Sequence, residues 1–418
     1  MTGLAVLAGV FALYAFFAGR LERWWITAPM VFVVTGGLLG PSSLDLTHVA
    51  FGSETVTVIA ELTLAVLLFA DASTVALGDV EADISVPLRL LLVGLPLTMV
   101  AGTVVARFLF PAEGWAAAAL IAVILAPTDA ALGLPVFTDR SVPVRIRRAL
   151  NVESGLNDGL ATPFLTLFLA LAVAEQGTGA SDWLVSALAD IALAAVAAGI
   201  VGLGGGWIMR RASERGWTTA TSSDLAVLAL SFASYSLAVA IGGNGFVAAF
   251  LAGLLFGRMT RDTVAEAIGF TERVGLFASF LVWTIFGALF AAPVLRGTFD
   301  WAAVAYAALS LTVVRMLPVA VALRRTQFRG ITVAFMGWFG PRGLASVVFT
   351  LIAFEALREH GTVAHHLLEV ATWTILLSVF AHGISARPLA SWYGERISRR
   401  AGAPELVAHP EPRVRRSL

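Results

Sequence analysis

Residues 115–138 read WAAAALIAVILAPTDAALGLPVFT, and residues 331–355 read ITVAFMGWFGPRGLASVVFTLIAFE. Each stretch is apolar over about the 20 residues that a helix needs to cross a bilayer. Each is interrupted near its centre by a proline beside a charge: Ala126-Pro127-Thr128-Asp129 in the first, Gly340-Pro341-Arg342-Gly343 in the second. Proline removes a backbone donor and clashes with the carbonyl four residues before it. In hydrocarbon, the freed carbonyls are tolerated only where they line a cavity or meet another polar group. A charge at that depth costs about 2.5–3.5 kcal/mol even on the lenient insertion scale. Two simple proline kinks would account for the prolines but not for the paired charges.

The rest of the chain has the same character. Of its 418 residues, 58% are hydrophobic and 13% charged, against roughly 25% charged in soluble domains. Too few charges are present to cover a water-soluble fold of this length. The spans are much longer than the alternating segments of an outer-membrane barrel. About thirteen are expected, at 3–19, 26–40, 56–78, 86–110, 115–138, 150–174, 183–209, 222–242, 244–257, 267–293, 300–323, 331–355 and 364–388, with a weak boundary at Gly242-Gly243-Asn244-Gly245. There is no cysteine, hence no disulfide and no thiolate metal site. The first apolar stretch lacks a basic leader and a cleavage site and reads as a retained span.

Arginine placement orients the chain. All 28 basic residues are arginine, and the loops around Arg140–Arg148, Arg210–Arg215, Arg258–Arg273 and Arg324–Arg329 fall on one side, with the segment after Ala386. The other side holds only Arg107, Arg296 and Arg358. Basic loops stay cytoplasmic, so the N-terminus is expected outside and the C-terminus inside, in a multi-pass inner (plasma) membrane protein. Residues 1–395 form the membrane domain, and the polar, Arg-rich tail 396–418 is expected to be disordered and to rest on anionic lipid. The two interrupted spans lie seven apart, an odd offset that reverses direction. Spans one to six and eight to thirteen are therefore expected to form an inverted repeat, with a substrate site where the interrupted helices cross. At such a crossing Asp129 would compensate exposed helix N-termini and Arg342 exposed C-termini.

The sixth span opens Asn151-Val152-Glu153-Ser154-Gly155-Leu156-Asn157-Asp158-Gly159. Helical spacing sets Ser154 and Asp158 on one face, with Glu153 and Asn157 on a neighbouring one. A hydroxyl, a carboxylate and the carbonyls freed near Thr128 make an oxygen cage suited to a hard alkali cation, whereas a chain poor in histidine and free of cysteine does not suit a transition metal. Burial raises a carboxylate's pKa and a bound cation lowers it, so one aspartate can alternate between a proton and a cation. A helix cap would explain Asn151 through Ser154 but not Asp158. Asp71, in Phe69-Ala70-Asp71-Ala72, is either a remote ligand or an interfacial charge; Glu61 is a funnel or packing residue; Arg315 is expected to snorkel to the interface; His365 and His366 read as solvated, and His382 as a packing histidine.

These motifs, with Gly245-Phe246-Val247-Ala248-Ala249-Phe250-Leu251-Ala252-Gly253 and His382-Gly383, resemble the sodium/proton antiporters of the cation:proton antiporter family, in its NhaP-like branch, from about Leu4 to Leu389. The resemblance implies thirteen spans, a six-helix transport bundle, a dimerisation domain and hence a homodimer, and no cofactor besides the transported Na+ and H+. It implies that Asp158 binds the ion or proton, that Ser154 and the Thr128 carbonyl are ligands, that Asn157 braces the segment near Thr128, that Asp129 balances helix ends, that Glu153 pairs with Arg342, and that Asp71 stands near the acidic position the family often has at the ion site. Potassium in place of sodium is the alternative within transport. An intramembrane protease would need a Gly-x-Gly-Asp context with paired aspartates, a Ser/His dyad or a His-Glu-x-x-His helix, none of which the sequence contains. A sensor or scaffold would need no midplane carboxylate.

Overall fold

The computed structural model describes residues 2–45, 54–74, 85–174, 183–260, 264–359, 365–400 and 403–406. Among them there is no strand. In chain order the helices are α1 (Thr2–Arg23), α2 (Ala28–Leu39), α3 (Glu54–Thr74), α4 (Ser85–Arg89), α5 (Leu95–Leu109), α6 (Trp115–Ile124), α7 (Ala130–Phe137), α8 (Val144–Ala174), α9 (Trp183–Ala198), α10 (Gly205–Glu214), α11 (Ala220–Ala240), α12 (Gly245–Thr260), α13 (Ala265–Phe286), α14 (Ala292–Arg296), α15 (Trp301–Leu311), α16 (Val313–Ala322), α17 (Gly330–Trp338), α18 (Leu344–Glu359) and α19 (His365–Ser398). Helix occupies each of the thirteen expected intervals. Among the described residues nine stretches are long and apolar enough to cross a membrane, and Ala28–Leu39, Trp115–Ile124 and Gly245–Thr260 are shorter apolar helices.

Several spans are continuous helices with one wide turn. π-Helical turns at Leu90–Gly94, Gly199–Gly204 and Gly287–Ala291 join α4 to α5, α9 to α10 and α13 to α14. Two of them end two residues before a proline, Pro96 and Pro293. The missing proline N–H leaves a carbonyl one turn earlier unpaired, and a wider turn re-satisfies the ladder without ending the helix. The weak boundary near Gly242 is a true turn. Gly242 adopts φ +83°, and Asn244 caps α12 by accepting from Phe246 N and Val247 N, both at 3.0 Å, while its Nδ2 donates to Thr166 Oγ1 at 2.7 Å.

Large apolar side chains such as Phe16, Leu92, Phe108, Ile200 and Trp207 point outward, which suits a lipid surface rather than water. Inside, helices approach through small residues. A Cβ on Gly36 of α2 would overlap the Thr284 carbonyl of α13, and one on Gly287 would overlap the Val33 carbonyl. In a bilayer no hydrophobic drive separates helix from lipid, so such close backbone approach supplies the attraction. The buried helix α3 is held the same way against α12, where Gly253 and Gly257 meet the backbone at Phe69 and Ser73, and Ser73 Oγ donates to Gly253 O at 3.1 Å. Gly36→Ala is expected to lower the melting temperature in detergent by an amount matching about 1–3 kcal/mol of overpacking. Gly9→Ala, with nothing within 4 Å of the new methyl, should leave it unchanged.

Candidate functional site

The two interruptions meet. α6 ends at Ile124 and α7 starts at Ala130; α17 ends at Trp338 and α18 starts at Leu344. Between them the extended segments touch backbone to backbone, with Asp129 N donating to Pro341 O at 2.8 Å. Four half-helix ends therefore converge, two of them N-termini with unpaired N–H groups and two C-termini with unpaired carbonyls.

One carboxylate serves both N-termini. Asp129 Oδ1 accepts from Leu132 N at 2.8 Å and Oδ2 from Leu344 N at 2.8 Å, so it caps α7 and α18 together. Arg342, completely buried, serves the opposite end: its Nη1 donates to the Ala126 carbonyl and, at 3.2 Å, to that of Pro127. Each charge lies where the helix dipoles favour its sign. Gly343 allows this geometry, because a Cβ there would overlap the Asp129 carboxylate. Neighbouring helices pin the remaining groups. Ser346 Oγ donates to Ile124 O at 2.8 Å and Arg342 N donates to Ser378 Oγ at 2.6 Å. His382, buried in α19, stacks on Trp338 and places Nε2 2.8 Å from the Trp338 carbonyl. Its expected packing role is more specific than that: it ties α19 to the end of α17.

α8 begins at Val144, so Asn151 through Ser154 lie two turns inside a helix and do not cap one. Ser154 Oγ lies 3.0 Å from Thr128 Oγ1, and Asn157 Nδ2 donates to the same oxygen at 2.6 Å. The pair that grips the first break is thus Ser154 and Asn157, three residues apart. Asp158 is one turn beyond Ser154 and half-buried, whereas Glu153, Ser154, Asn157, Thr128 and Asp129 are buried. Among the described residues no three His, Cys, Asp or Glu form a metal cluster, so hydroxyl and backbone oxygens would have to complete the shell of any cation held by Asp158. Asp71 lies half-buried in the last turn of α3, next to the residues that pack on α12.

The Glu153–Arg342 pairing expected from the resemblance does not form. Glu153 Oε1 pairs with Arg315 Nη1 at 2.7 Å, with both side chains at most 2% exposed. Arg315 does not snorkel. The span that carries it breaks at Thr312 (φ −112°, ψ −95°), and the guanidinium packs beside Gly340, where a Cβ would collide with it. Arg342 is already committed to the carbonyls of the first break. The resemblance gave Glu153 to Arg342 and the sequence sent Arg315 to the interface; the Glu153–Arg315 pair replaces both. His366 is not merely solvated, since its Nδ1 lies 2.8 Å from Glu113 Oε1, and Glu61 is hydrogen-bonded to Tyr235. The His365 side chain lies outside the described residues.

Removing one partner of a buried ion pair strands the other, at a cost of about 3–5 kcal/mol. Arg315→Met and Glu153→Gln should each lower thermal stability strongly, and the double variant should recover most of the loss. Simple additivity of the two effects would rule out the pair as the cause.

The family described as sodium/hydrogen exchanger, transmembrane, matches residues 6–392. The K(+)/H(+) antiporter NhaP of Alkalimonas amylolytica is 24% identical over 382 residues, covering 90% of this chain and 64% of that protein. The K(+)/H(+) antiporter NhaP2 of Shewanella oneidensis is 27% identical over 289 residues, covering 65% and 47%. The Na(+)/H(+) antiporter of Schizosaccharomyces pombe is 24% identical over 316 residues, covering 68% and 66%. The chain thus spans less than two thirds of the length of these relatives. The solved structure of the sodium proton antiporter MjNhaP1 from Methanocaldococcus jannaschii superposes with a TM-score of 0.76 at 20% identity, covering 93% of this chain and 98% of that one. With a family match over nearly its whole length and the fold of a solved member of that kind, this chain is an all-α, multi-pass membrane protein that belongs to the transmembrane sodium/hydrogen exchanger family.

Proposed function

We propose that the protein is a secondary antiporter that exchanges a monovalent cation, Na+ or Li+, for protons by competition of the two at Asp158. The observation that carries the reading is a contrast in burial. The charges at the crossed breaks are committed: Asp129 to two backbone N–H groups, Arg342 to two carbonyls, Glu153 to Arg315. Asp158 differs from these in being half-buried, one turn from the Thr128–Ser154–Asn157 cluster, and is the carboxylate proposed to load and unload. Ser154 Oγ and the Thr128 backbone carbonyl are the proposed further ligands of the cation, Asn157 keeps Thr128 in place, and Asp71 is a more remote acidic contributor. A proton on Asp158 removes the anionic ligand, and a bound cation disfavours the proton. Either load neutralises the site for its passage. The reading makes the protein a transporter and not an enzyme, working as a homodimer in the inner membrane with its C-terminus inside, the orientation that the arginine asymmetry supports.

Potassium is the second reading. It is favoured by the names of the Alkalimonas and Shewanella relatives, and cage size rather than residue type would decide it.

Cation-dependent proton flux in proteoliposomes, with sodium, lithium and potassium compared, tests the proposal. Asp158→Asn keeps size and removes the titrating group; it should cut exchange by at least about 100-fold, or about 2.7 kcal/mol, while the purified protein stays folded. Sodium-driven proton flux at parental rates in that variant would overturn the assignment. The site also sets the stoichiometry. Asn157 is an amide and cannot ionise, so a site built on Asp158 alone exchanges one proton for one cation. The sodium gradient at which net flux reverses should then be indifferent to an imposed membrane potential. A shift of that reversal point with an inside-negative potential would mean that a second group, Asp71 first among them, carries a proton.

A further inference from the structure

The tail was expected to be disordered from residue 396, yet α19 runs to Ser398 and Pro404–Leu406 forms a 3-10 turn with Glu405 completely buried. Residues 401–402 and 407–418 lie outside the described residues. We propose that residues 403–406 are a strap that holds the inner half of the second broken helix in register with the helix bearing Asp158, so that cation binding depends on the tail.

Three contacts carry this. α17 starts after Arg329 with no local side-chain cap, and the cap comes from 76 residues away: Glu405 Oε1 accepts from Arg329 N at 3.2 Å and from Thr332 Oγ1 at 2.7 Å. Thr332 also receives the Tyr393 hydroxyl at 3.0 Å, and the Tyr393 ring stacks on Phe335 at 4.1 Å, which fastens α19 to the same turn. On the other side, Arg145 in the first turn of α8 donates from Nη1 to Pro404 O at 2.8 Å and lies over the Phe328 ring.

Between these polar contacts Ala403 enters an apolar cluster. That cluster contains Val136 and Phe137 of α7, Ile146 and Leu150 of α8, Phe335 of α17 and Phe339 of the second break. The strap therefore closes the packing that the same-end halves of both broken helices share. The nine residues of α17, about 13 Å of helix, connect its capped end to Gly340 and Arg342 at the crossing. α8 connects Arg145 to Ser154 and Asp158 in the same way. A displacement at the strap is transmitted along two rigid rods that meet at the site. A buried carboxylate at a helix N-terminus is costly to release and re-form unless its two donors are waiting, which makes the docked state well defined.

The inference rests on the antiport reading, so its test has two arms. The chain has no cysteine, and a single Ala403→Cys reports docking through its rate of labelling by a water-soluble maleimide. The residue is expected to be protected relative to Arg399→Cys, whose position is exposed, and adding Glu405→Ala should raise its labelling rate by at least about 10-fold. In proteoliposomes Glu405→Ala should raise the apparent KM for the cation about 5-fold with a smaller change in maximal rate, and Glu405→Gln, which keeps the accepting oxygen, should stay within about 2-fold of the parent. Equal labelling of Ala403→Cys and Arg399→Cys, or an unchanged KM in Glu405→Ala, overturns the strap. If the parent protein moves no cation against protons, it is the antiport reading that fails, and the labelling ratio by itself decides whether the strap is docked.

Discussion

The structure depends on how four helix ends are satisfied in a place without water. Interrupting a membrane helix exposes N–H groups on one side of the break and carbonyls on the other, and each buried orphan costs free energy comparable to a lost hydrogen bond. Crossing two interrupted helices solves both problems with one pair of charges. The Asp129 carboxylate divides its two oxygens between the first turns of α7 and α18, and Arg342 covers the carbonyls that follow α6. Neither charge would be tolerable there without those partners, and neither break would be tolerable without those charges. The backbone bond from Asp129 to Pro341 holds the two solutions in contact.

Everything around the crossing serves to keep it in register. Ser346, Ser378 and His382 reach the backbone of the two breaks from α18 and α19, while Ser154 and Asn157 hold Thr128 from α8. The Glu153–Arg315 pair adds a second tie, from α8 to the bent span of α15 and α16. Buried ion pairs gain little net stability over apolar packing, but they penalise any arrangement that separates them. A region with this many reciprocal polar bonds behaves as a rigid unit.

The helices outside the crossing do a different job. α2 and α13, and α3 and α12, approach through glycines that bring one backbone against the next, and the outward surfaces remain apolar. That is the economy of a lipid-solvated protein: attraction comes from close packing and polar bonds, and the exterior needs no charge. The same economy explains why charges are so scarce in the chain that each buried one carries an assignable task.

The sequence by itself determined the class, the apolar intervals and the two breaks. These follow from composition and local chemistry: a run of apolar residues must span, a proline must interrupt, and a charge at that depth must be paired. The place of Asp129 at the helix ends was legible for the same reason, whereas spacing grouped Ser154 with Asp158, and only the family resemblance set Asn157 against Thr128. Only the tertiary structure decided which arginine meets Glu153, because Arg315 and Arg342 are equally charged and equally deep, and the choice turns on the bend at Thr312 and the missing Cβ of Gly340. It likewise decided that His382 bonds the end of α17 and that Glu405 is buried rather than solvated. Those contacts join residues 44 and 76 apart in the chain. Periodicity and composition describe a segment against its own neighbours; a partner that far away is chosen by how the helices pack.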